Sequence, residues 1–225
     1  MFNMWQRLLP GFVDICPVLL PGREARLAET AHTDSVALIE QIATAVAEHL
    51  DLPYAIFGHS MGAWLASELA QSLVANGLRP PGHLFVSGRN AAHLPPSVSD
   101  LHRLPDDEFL AALGRRYNAM PKEILETPEL LELYLPILRA DMTLIERHDY
   151  RMHQRLACPI SVLAGKDDGN VSNEKLMAWQ EHTTGTFELK MFDGDHFYLT
   201  GASRPLLLEL LSERLGVMAA TEAAR

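Results

Sequence analysis

Apolar residues run through this chain in two rhythms, short continuous stretches and longer ones at helical spacing. Val13 to Leu20 is an apolar run closed by Pro21-Gly22, and it predicts a buried strand. Thr33 or Asp34 is placed to cap a helix on which Val36, Ile39, Ile42, Ala43, Val46 and Leu50 share one face. Tyr54 to Gly58 predicts a second strand, Ala63 to Asn76 a helix stopped by Gly77, and His83 to Ser87 a third strand. Further on, Pro159 to Gly165 is β-rich, and Thr186 to Phe192 alternates apolar and polar like a half-buried strand. Helices are expected at Asn173–His182 and Ser203–Leu215, followed by a small, polar tail at Ala219–Arg225 that should fray. Buried strands alternating with helices imply an α/β fold with a mostly parallel sheet covered on both faces.

The pattern changes between Asn90 and Tyr150. Pro95, Pro96, Pro105, Pro121, Pro128 and Pro136 punctuate short amphipathic pieces, and no strand is evident. An insertion of roughly 60 residues is too long for an ordinary connection, and such insertions are usually functional. The expected organisation is one domain over residues 1–218 with a helical lid at about 90–150. Leu101, Leu104, Phe109, Leu110, Leu113, Tyr117, Leu130, Leu133, Tyr134 and Leu138 are candidates to line an apolar channel, although most suit the lid's own core.

The candidate chemistry lies where predicted strands end. Gly58-His59-Ser60-Met61-Gly62 follows an apolar run and precedes a helix, so its serine sits at the tip of a strand–turn–helix, the context of a nucleophile elbow. Small residues two before and two after the serine let strand and helix approach, and the Met61 amide is placed to face a developing oxyanion. A serine needs a base, and the base an orienting acid, in the chain order serine, acid, histidine. The strand at 159–165 delivers Lys166-Asp167-Asp168 into a turn, where Gly-x-x-Asp spacing favours Asp168 and leaves Asp167 as the rival. The strand at 186–192 empties into Asp193-Gly194-Asp195-His196-Phe197, which selects His196 from the chain's ten histidines. His59, inside the elbow, reads as a packing or shaping residue. The expected catalytic set is Ser60, Asp168 and His196, with no cofactor and no metal.

Composition narrows the alternatives. The chain has 225 residues, 48% of them hydrophobic, enough for a buried core. A net charge of -10 argues against nucleic acid, whose phosphates need a basic surface. Cys16 and Cys158 lie far apart beside predicted strands and read as buried free thiols of a reducing cytoplasm. No apolar run approaches the roughly 18 residues of a membrane helix, and no signal peptide opens the chain. A soluble, cytoplasmic, monomeric protein is expected.

These residues resemble the α/β-hydrolase thioesterases, in particular the type II thioesterases that accompany nonribosomal peptide and polyketide synthases. Leu20-Pro21-Gly22-Arg23-Glu24 is similar to that family's segment after an early strand. Gly58-His59-Ser60-Met61-Gly62-Ala63 resembles its nucleophile motif, and Gly194-Asp195-His196-Phe197 its histidine loop. Pro128-Glu129-Leu130 and Leu135-Pro136-Ile137-Leu138-Arg139-Ala140-Asp141 are similar to its lid. The likeness runs from about Trp5 to Leu211.

The resemblance implies acyl or aminoacyl thioesters on phosphopantetheine arms as substrates, with acyl or peptidyl carrier domains as partners. Such domains are typically acidic, so Arg115, Arg116, Lys122, Arg139, Arg147, Arg151 and Arg155 form a candidate docking patch, with an ordinary mixed-charge surface as the alternative. A carboxylesterase on small oxygen esters and a catalytically weak carrier-binding protein are the rival functions. Relatives begin with a strand and a Gly-rich loop, often His-Ala-Gly-Gly, that supplies a second oxyanion amide. Here Met1-Phe2-Asn3-Met4-Trp5 starts past that point, so Met1 is expected to be an internal start and the 225-residue form poorly stable or weakly active.

Overall fold

In the computed structural model, residues 2–96, 100–117, 127–149 and 152–224 are described. Among them, four strands form one parallel sheet in the order β1-β2-β3-β4: β1 is Ala55–His59, β2 His83–Ser87, β3 Ile160–Gly165 and β4 Phe187–Phe192. The register sets Phe57 beside Phe85, Val86 beside Val162 and Leu163 beside Lys190. β2 and β3 are buried along their whole length, which is why each reads as a continuous apolar run rather than an alternating one. The fold is α/β, with a parallel sheet as the sequence pattern predicts.

The chain groups into two compact units. The first comprises residues 1–17, 39–93 and 151–225, and it holds the sheet. Helix α2 (Met61–Ala75) packs against β1 and β2. Phe85, Leu163 and Phe192 meet Leu207, Leu208, Leu210 and Leu211 of a long C-terminal helix, together with Trp5 and Leu9. Trp5 stands edge-on to Phe57, with ring centroids 5.1 Å apart. That C-terminal helix runs from Arg204 to Ala223, with Pro205 in its first turn, where a missing N–H costs no helical bond. It continues through most of the segment read from sequence as a fraying tail, and Arg79 pairs with Glu222 near its end at 2.6 Å.

The second unit comprises residues 18–38 and 94–150. It contains α3 (Asp106–Tyr117) and α4 (Pro128–Arg147), the latter carrying Pro136 within it. Arg23, from the Leu-Pro-Gly-Arg-Glu segment, makes a bidentate pair with Asp141 at 2.7 and 3.2 Å. Arg139 donates to the carbonyls of His102 and Leu104 and to Asp106, and its guanidinium lies 4.5 Å from the Phe109 ring centroid. Glu146 accepts from the amides of Leu101 and His102. Of the candidate channel residues, Leu101, Phe109 and Leu113 are buried, Leu133 is exposed, and the rest are half-buried. Helix α1 (Ser35–Ala47) begins in this unit, and Asp34 caps it by accepting from the amides of Val36 and Ala37.

Two expectations fail here. Val13–Leu20 is not a strand: it is irregular, with Asp14, Cys16, Pro17 and Val18 exposed. An apolar run becomes a strand only beside a partner, and this one joins no ladder among the described residues. Its backbone is met instead by one side chain, since Gln6 donates to the Val13 carbonyl and accepts from the Ile15 amide at 2.9 and 2.7 Å. Cys16 is accordingly exposed, not buried. Cys158 is buried, and burial pushes its thiol up to about 11.

Candidate active site

Ser60, Asp168 and His196 follow β1, β3 and β4 respectively, so the parallel sheet brings all of them to its carboxyl end. Ser60 links β1 to α2 with φ 56° and ψ −117°, a strained backbone for a residue with a side chain. What permits the sharp turn is Gly58. A Cβ there would lie 1.9 Å from the Gly62 carbonyl oxygen, so strand and helix touch backbone to backbone. Gly62 differs from expectation: a Cβ at that position meets nothing within 4 Å, so only the first glycine of the motif is required by close approach. The Ser60 amide donates to the Ser87 carbonyl at 2.7 Å, fixing the turn to the end of β2.

His196 bridges the other two. The Ser60 hydroxyl donates to Nε2 at 2.9 Å, and Nδ1–H donates to Asp168 Oδ2 at 2.7 Å. Both His196 and Asp168 are buried. The second Asp168 oxygen is occupied as well, accepting from the Asn170 amide at 2.9 Å and from its side-chain NH2 at 3.1 Å. Burial alone would raise the Asp168 pKa, but the bond and charge of His196 and the two donors of Asn170 outweigh it and hold the carboxyl below its ordinary value. Asp167 points into solvent, and its amide donates to the Gly194 carbonyl. Met61 opens α2, where the first amides of a helix have no intrahelical acceptor.

The thioesterase domain family model matches residues 1–215. The chain belongs to this family. It is 36% identical over 219 residues to the gramicidin S biosynthesis protein GrsT of Aneurinibacillus migulanus, covering 97% of this chain and 85% of that one. It is 41% identical to a protein of Brevibacillus parabrevis named linear gramicidin dehydrogenase LgrE, covering 92% and 79%. Among solved structures, RedJ, a thioesterase from the prodiginine pathway of Streptomyces coelicolor, superposes with a TM-score of 0.87 at 37% identity, covering 95% and 80%. This thioesterase is therefore a hydrolase of thioesters whose homologues work in peptide and polyketide biosynthesis.

Sequence reasoning missed part of the thioesterase's site. Asn170 supports Asp168 from two residues on, and Asp-Gly-Asn is a legible side-chain turn. Asn90 holds the same loop, donating to the Asn170 carbonyl and accepting from the Ser172 amide, both at 3.3 Å, and nothing in the sequence links it to that loop. His59 packs against His196 with ring centroids 4.8 Å apart, and its Nδ1 bonds Ser87 Oγ. Burial, with His196 beside it, pushes His59 down to about 3. Of the basic residues, Arg115 and Arg147 are exposed, Arg139 is committed to the contacts above, and Arg155 donates to the Glu181 carbonyl. Lys122 and Arg151 lie outside the described residues. No helix among the described residues is long and apolar enough to cross a membrane.

Proposed function

We propose that Ser60 is the nucleophile, His196 the general base and Asp168 its orienting acid, in a thioesterase that clears acyl or aminoacyl groups from the phosphopantetheine arms of carrier domains. The observation that carries the reading is the unbroken hydrogen-bonded path from Ser60 Oγ through both ring nitrogens of His196 to Asp168. Ser60 attacks the thioester carbonyl as its proton passes to Nε2, and Asp168 stabilises the imidazolium without taking its proton. The Met61 amide faces the oxyanion. The thiolate leaves with the proton from His196, and a water activated by the same nitrogen then releases the acid. Carrier domains enter as partners because homologues serve synthases of this kind, and the helical insertion is read as the lid of a single domain.

The name of the Brevibacillus relative points to redox chemistry for that protein, whereas a serine in a strained elbow beside His196 favours acyl transfer here. Intact-mass analysis after treatment with a serine-reactive fluorophosphonate should place one adduct on Ser60. Rates on an acyl-carrier thioester, an acyl-coenzyme A and a simple oxygen ester, measured side by side, should rank in that order. A preference for the oxygen ester would make the protein a carboxylesterase instead.

A further inference from the structure

We infer that His59, Ser87 and Tyr198 form a positioning chain that keeps His196 in register with Ser60; this rests on the triad reading above. His59 Nδ1 lies 2.9 Å from Ser87 Oγ, and Ser87 Oγ lies 2.7 Å from the Tyr198 hydroxyl. Ser87 and Tyr198 are buried. The chain joins three places: the residue before the nucleophile, the end of β2, and the turn two residues beyond His196. Ser87 belongs to both networks, because its carbonyl also accepts from the Ser60 amide at 2.7 Å. Tyr198 is fixed in turn by stacking on Phe192, with centroids 5.1 Å apart and planes within 11°, and by its amide bond to the Asp195 carbonyl.

The hydrogen bonds from His196 to Ser60 and Asp168 fix its nitrogens, but they do not themselves set the tilt of the ring about the line between them. His59 at 4.8 Å and Phe197 at 5.0 Å limit that tilt. Gly88 limits it further. A Cβ there would lie 2.7 Å from His59 Cε1 and 3.2 Å from His196 Cε1, so bare backbone closes the gap where the two rings meet. Packing alone does not account for an imidazole at position 59. His59 Nε2 is buried with no hydrogen-bond partner among the described residues, and a phenyl ring would fill the space without that cost. What the imidazole adds is the bond from Nδ1 into the chain. Burial also keeps His59 neutral, so it does not oppose the imidazolium that forms on His196.

His59→Phe and Tyr198→Phe each retain a ring and remove one link, and Ser87→Ala removes the shared hydroxyl. With a short-chain acyl-coenzyme A as substrate, each should lower kcat about ten- to a hundredfold with KM unchanged, the scale of a slightly misplaced base. Fluorophosphonate should label Ser60 more slowly by a similar factor. Because the links act in series, the His59→Phe/Tyr198→Phe pair should be no slower than its slower member. Folded variants that react at the parent rate, losses that multiply in the pair, or a change in KM alone would overturn the positioning role. A parent protein that fluorophosphonate leaves unlabelled at Ser60 would overturn the triad reading and this inference together.

Discussion

Replacing Asp168 by asparagine tests the site most sharply, because the structure dictates how the new amide must sit. Asp168 Oδ1 accepts from two donors of Asn170, one of them a backbone amide that cannot turn away. In Asp168→Asn the amide oxygen keeps those bonds, and the NH2 is forced toward His196 Nδ1. That nitrogen must then accept, so the proton moves to Nε2, the atom that should receive the Ser60 proton. A wrong tautomer of this kind lowers kcat by up to about four orders of magnitude, or about 5 kcal/mol on the barrier. Near-full expression of the penalty is expected, since the alternative rotamer would set the NH2 against the Asn170 N–H. Asp167→Asn, at an exposed position, should change kcat less than about twofold. Steady-state hydrolysis of an acyl thioester, with thermal melting to verify folding, measures both variants. Equal losses, or a larger loss at Asp167, would refute the assignment of the acid.

Ser60→Ala should abolish acyl-enzyme formation, seen by intact mass, while melting stays near that of the parent. Gly58→Ala should prevent a stable fold, because its Cβ would strike the Gly62 carbonyl at 1.9 Å, whereas Gly62→Ala should hold or raise the melting temperature, by up to about 1 kcal/mol of helix propensity. Burial holds His83 neutral, with a pKa of about 4, and burial together with His93 and His153 does the same to His182. Both folded values lie below the unfolded one near 6.5, so the unfolded chain binds protons first and stability is lost as pH falls from about 6.5 toward 4. At pH 5 each histidine costs about 2 kcal/mol, and the melting temperature should drop between pH 7 and 5; an unchanged value would refute their neutral burial.

The parts of this thioesterase legible in sequence are those whose cause is local. β2 and β3 are apolar runs because both faces of a central parallel strand are covered, and the elbow is legible because one glycine, one serine and the start of a helix adjoin in the chain. Val13–Leu20 misled because hydrophobicity marks a segment fit for a ladder without saying whether a partner stands beside it. The C-terminal helix runs past its expected end for a related reason: residues 219–223 carry no apolar stripe to announce it, yet Arg79, far away in sequence, pairs with Glu222.

The same distinction divides the site itself. Each of Ser60, Asp168 and His196 sits just past a strand, so strand order and turn residues suffice to nominate it. The groups that hold them in place come from elsewhere: Asn90 after β2 for the Asp168 loop, Ser87 for the elbow, Tyr198 for the histidine turn. Ser87 is the extreme case, an unremarkable serine at a strand end whose carbonyl and hydroxyl serve two networks at once. Such residues carry no local signature because their role exists only after β1, β2 and β4 have been brought side by side. The three candidate residues can thus be nominated from one dimension, while the contacts that hold them in reach of one another are a property of three.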